Sequence, residues 1–149
     1  MAFGLGNLVQ GLMGNFSEQS PEKLQADYQD YLMADETVQS GYTLIRDAII
    51  FTNRRLLFID RQGATGKKTA LKSIYLMNIV DVDVETAGMG IDDSQITITY
   101  LKNVKLFSHH EESATLLLEF PKSADVLALY RFLLELAYEN RLRINQKHH

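Results

Sequence analysis

The spacing of apolar residues changes period twice along the chain. Phe3, Leu5, Leu8, Val9, Leu12, Met13 and Phe16 recur mostly three or four apart, the spacing of one helical face, although Gly4, Gly6, Gly11 and Gly14 weaken an isolated helix. A second short helix is predicted from Ser20-Pro21-Glu22, which supplies an N-cap, a proline at the first helical position and an early acid; Leu24, Tyr28, Tyr31 and Leu32 follow on one face. The period then drops to two. Tyr42–Ile45, Ala48–Phe51, Arg55–Ile59 and Thr69–Ile74 read as strands, with Asn53-Arg54 as a turn and 61–68 as a glycine-containing loop. In the next strand Val80, Val82 and Val84 alternate with Asp81, Asp83 and Glu85, which gives one buried and one wet face, as in an antiparallel sheet. Ile96–Tyr100 and, after a polar loop, Ala114–Phe120 complete seven strands. Pro121 ends the last of them, Ser123 is a candidate cap, and a helix is predicted from Ala124 to about Arg143. Its apolar residues, Tyr130, Leu134 and Tyr138 among them, cover more than one face, so it is expected to touch a second surface besides the sheet.

Seven antiparallel strands followed by one long helix resemble the pleckstrin-homology (PH) barrel. More closely, FTNRRLLFID at 51–60, GATGKK at 63–68 and a strand running into VETAG at 84–88 resemble the bacterial PH-domain family, over roughly residues 36–140. The resemblance implies a mainly β fold with helices (α+β), a seven-stranded PH-like barrel or sandwich capped by a C-terminal helix. The corresponding division is an N-terminal helical extension at 1–35, the PH-like domain at 36–143 and a disordered tail at 144–149. It also implies a non-enzymatic protein that self-assembles, with no established ligand; the fold by itself carries no function.

Composition narrows the chemistry. At 149 residues the chain is long enough for one domain with a real core, and it contains no cysteine, so disulfides, thiolate metal sites and cysteine nucleophiles are excluded. Lys23 is the first cation, so the start lacks the basic segment that precedes a secretory apolar stretch, and a cytoplasmic protein is expected. No run approaches the ~18 apolar residues of a spanning helix. The net charge of −4 argues against nucleic acid as a partner.

That average hides an asymmetry. Between Arg46 and Lys72 seven cations face two acids, a local balance of +5, whereas Ser73–Leu101 holds five acids and no cation. A chain so polarised would steer an anionic ligand or pair head-to-tail with its own copies, and solvated strand faces are the plainer explanation. In a PH-like topology the turns after the first, third and sixth strands are expected to gather at one end. Arg46, Arg61, Lys67 and Lys68 would then meet Lys102, Lys105 and His109-His110 and hold an anionic ligand.

Catalytic and metal motifs are missing. A nucleotide-binding loop needs glycine where Arg61 stands and Ser or Thr where Lys68 stands. An EF-hand starting at Asp81 needs glycine at Thr86, and adjacent His109 and His110 would point apart on a strand. No nucleophile elbow is present. The expected protein is therefore not an enzyme and takes no cofactor and no metal. It is expected to be a PH-like interaction module that forms a homo-oligomer through Leu8, Leu12, Phe16, Tyr130, Leu134 and Tyr138, with a further protein partner open. The alternative is a peripheral adaptor on a membrane surface, touching anionic lipid through the basic loops and an apolar N-terminal helix; it is less favoured because residues 1–22 carry no Lys or Arg.

Overall fold

The computed structural model describes residues 20–60, 70–86, 93–122 and 124–146, and statements below about what is present or absent concern these residues. They form α1 (Pro21–Asp27), a 3-10 turn at Gln29–Tyr31, β1 (Val38–Thr43), β2 (Ala48–Thr52), β3 (Arg55–Asp60) and β4 (Ala70–Tyr75). A second 3-10 turn, Leu76–Asn78, leads to β5 (Ile79–Glu85), β6 (Ser94–Leu101), β7 (Ser113–Phe120) and α2 (Leu127–Ile144). The strands pair antiparallel in two sheets, β1-β2-β3-β4 and β5-β6-β7, which is the expected PH-like architecture.

Two element boundaries differ from the sequence reading by three residues or more, for physical reasons. β1 begins four residues early, at Val38, because Ser40 and Gly41 pair with Phe51 and Ile50 despite their weak strand preference, with Gln39 as the extra residue of a bulge. Helix α2 begins three residues late, and Asp125 Oδ1 accepts the amide of Leu127 at 3.2 Å. Ser123, the expected cap, lies outside the described residues. At α1 the expected cap is in place: Ser20 Oγ accepts the amide of Lys23 at 3.2 Å, with Pro21 at the first turn.

The main core lies between the sheets and under α2. Phe51 is fully buried and meets Tyr42 and Phe132 edge-to-face, with ring centroids 5.8 and 6.1 Å away, so β1, β2 and α2 share one aromatic junction. The first sheet is also buried on its outer side. There Val38, Ile50, Leu57 and Ile59 form a second cluster with Leu24 of α1, and Tyr28 and Leu32 lean on it. Gly41 allows that contact, since a Cβ on it would stand 2.5 Å from Leu24 Cδ1. Tyr31, expected on the same apolar face, is exposed, because the 3-10 turn after α1 rotates it out of the helical phase.

Polar ties fix the remaining geometry. Asn140 of α2 is fully buried and donates from Nδ2 to the carbonyls of Leu76 (2.8 Å) and Ile79 (2.7 Å), so the helix is latched to the crossover between the sheets. At the other end the amide of Ile45 donates to the carbonyl of Glu119 at 3.0 Å, which joins the β1–β2 turn to the end of β7.

Candidate functional site

Of the expected basic cluster, Arg46 and the β6–β7 cations do not meet. Arg46 is exposed on the β1–β2 turn, beside the C-terminal end of β7. Lys102, Lys105, His109 and His110 lie on the β6–β7 loop, which Asn78 Nδ2 holds to the crossover end of the molecule through the carbonyls of Leu101 (2.7 Å) and Asn103 (3.1 Å). The anchors of these two regions, Glu119 and Glu112, are seven residues of extended chain apart, or roughly 20 Å. A single ligand headgroup cannot span that. Arg61, Lys67 and Lys68 lie outside the described residues.

Three other cations of the basic segment have partners inside the chain: Arg54 through Met33 Sδ at 3.2 Å, Arg55 through Glu36 and Lys72 through the Tyr100 ring. Arg55 is in phase with Leu57 and Ile59 along β3, on the side covered by the α1 region, and so it is drawn inward. Its Nη2 and Nε donate to Glu36 Oε1 (2.6 Å) and Oε2 (2.8 Å), while Nη1 reaches Ser73 Oγ at 2.8 Å. Glu36, 2% exposed, also accepts from Thr52 Oγ1 at 2.6 Å and from the amide of Met33 at 3.0 Å. Burial alone would raise its pKa, but the hydrogen bonds from Arg55, Thr52 and Met33 and the guanidinium charge outweigh it and hold the carboxyl at about 2. Lys72 sits 5.5 Å above the Tyr100 ring. Charge counting does not distinguish Arg55 as part-buried; the available signal is its phase with Leu57 and Ile59.

Three surfaces of the described residues expose apolar or acidic side chains. The first is the outer side of α2. Leu127, Leu134, Tyr138 and Leu142 are exposed there, on the face opposite Leu129, Phe132, Leu133, Leu136 and Asn140. Of the expected contact residues, Leu134 and Tyr138 stand in this stripe, whereas Tyr130 is half-buried against the core; Leu8, Leu12 and Phe16 lie outside the described residues.

The second surface is the β6–β7 loop. It was read as polar, but with Met77 it lines an open, mostly apolar cleft of about 610 Å³ through Val104–His110. The third is the outer side of the second sheet, where Asp81, Asp83 and Glu85 are exposed beside β6 and β7. Among the described residues no three His, Asp or Glu side chains group as a metal site, and no helix is long and apolar enough to cross a membrane.

The two sheets and the capping helix define a PH-like module. The chain belongs to the bacterial PH domain family, whose model matches residues 7–137. It is 41% identical over 90 residues to the uncharacterized protein YjqA of Bacillus subtilis, covering 60% of this chain and 72% of that protein. Among solved structures it is similar to a pleckstrin-homology domain from Shewanella amazonensis, with a TM-score of 0.63 and 34% identity over 86% of this chain and 96% of that one. A PH-domain protein from Shewanella loihica gives a TM-score of 0.59 and 28% identity over 83% and 97%. A PH-domain-containing protein from Exiguobacterium sibiricum, 22% identical, shares the fold with a TM-score of 0.58, over 84% of this chain and 65% of that one.

Proposed function

We propose that this chain is a non-catalytic interaction and assembly module that associates with its own copies. The observation that carries the reading is the double-sided helix α2. Its inner face is consumed by the core, and its outer face still presents Leu127, Leu134, Tyr138 and Leu142 in one stripe. Isolated exposed apolar residues are ordinary, whereas a row of four along one helix is the kind of patch that marks a protein contact. Pairing of this stripe with its counterpart on a second copy would be isologous and produce dimers.

Light scattering coupled to gel filtration tests the reading. The expected mass is a multiple of the 16.9 kDa chain, falling in the variant L134E/Y138E while its circular dichroism stays native. A wild-type protein of single-chain mass at ~100 µM would overturn it, since stable self-association has Kd values well below that.

A further inference from the structure

We propose that residues 20–30 form a strap that lifts off the first sheet while the rest of the fold stays intact, uncovering an apolar face that the strap otherwise keeps closed.

The middle strands of the first sheet are apolar on both sides. Ile49, Phe51 and Leu56 belong to the main core, whereas Ile50, Leu57 and Ile59 join Val38 and Ala48 in the separate outer cluster. Leu71 of β4 packs at the margin of that cluster, and its other members, Leu24, Tyr28 and Leu32, come from the α1 segment. Lifting that segment therefore opens the outer face to water and leaves the main core and the strand ladders as they are.

The strap is held lightly. Helix α1 has seven residues, of which only Leu24 is buried, and a helix this short does not persist in water once undocked. Leu24 is seated against Gly41, the one position of β1 without a side chain to block it. Beside it Gln25 bridges to the sheet: Oε1 accepts the amide of Val38 at 2.6 Å, and Nε2 donates to the carbonyl of Glu36 at 3.2 Å. Behind the strap, the buried Glu36–Arg55 pair supplies a fixed end. Arg55 Nη2 also donates to the carbonyl of Tyr31 at 2.9 Å, and Glu36 Oε1 accepts the amide of Met33 at 3.0 Å. Those bonds hold 31–36 in place, so the strap swings from this hub and returns to the same seat. A short element with one buried side chain, set on a cluster apart from the main core, is the kind of unit that opens at a lower free energy than the whole molecule.

Native-state hydrogen exchange of the full-length chain, over a series of sub-denaturing urea concentrations, tests the strap. The reporters are the amide of Val38, held by Gln25, and the amide of Tyr28, held by the carbonyl of Leu24 at 3.0 Å. Both are expected to show one common protection factor, at least about tenfold below that of the slowest amides of β2 and β3, with a urea slope above zero but well below the global one. Two variants separate strap opening from whole-molecule unfolding. Asn140→Ala in α2 is expected to lower the protection of the slowest β2 and β3 amides about tenfold or more and to leave Val38 and Tyr28 unchanged, because Asn140 keeps its partners when the strap is open. Leu24→Ala is expected to lower all of them, because Leu24 is docked only when the strap is closed. Reporters that match the slowest amides in protection and slope in wild type, or that lose protection in parallel with them in Asn140→Ala, would overturn the proposal. A zero urea slope at Val38, or no change there in Leu24→Ala, would also overturn it, since either would show local motion of Gln25 without lifting of the strap.

Discussion

Glu36 has both carboxylate oxygens engaged, by Arg55, Thr52 and Met33, and its side chain is cut off from water. Removing the charge leaves a guanidinium, itself only 11% exposed, without its counter-ion. We expect Glu36→Gln to cost about 3–5 kcal/mol, read from urea unfolding at pH 7. Its pKa of about 2 lies below the ordinary 4.5, so the wild-type advantage is complete above pH ~4.5 and is lost as pH falls towards 2. Unfolding midpoints of wild type and Glu36→Gln should converge over that interval; a constant gap would deny the ion pair its role. Little of this site was legible beforehand. Glu36 reads as one more acid after a short helix, and Arg55 as one of seven cations, because partners 19 residues apart meet only through the fold.

At the scale of elements, the seven strands and the final helix follow from apolar period, and their order is nearly as the sequence reads. The alternation of valines and acids in β5 is reproduced as Val82 buried against Asp81 and Asp83 exposed. What periodicity could not reveal is the use made of single polar residues. Asn140 lies among the apolar positions of α2, yet it satisfies two carbonyls at the crossover. Asn140→Ala should lower stability by about 2–4 kcal/mol, since it leaves both acceptors buried without a donor, and thermal unfolding checks this. A change below about 0.5 kcal/mol would mean that water replaces the amide. The β6–β7 loop was misjudged for a related reason. Its Asn and Ser content suggests a solvated loop, but those side chains turn to the backbone and leave Val104 outside.

At the scale of the whole molecule, the charge asymmetry of the sequence takes a different form in space. The basic segment turns inward at Arg55, Lys72 lies over the Tyr100 ring, and the Arg46 turn is separated from the β6–β7 lysines by the length of β7. The acidic segment, by contrast, reaches the surface as an ordered face of the second sheet. The α2 stripe supplies exposed apolar area. The self-association of the wild-type chain is the central claim, and its solution mass is the direct measurement. Light scattering at ~100 µM should return a multiple of 16.9 kDa that decreases in L134E/Y138E; a single-chain mass for wild type would contradict the account.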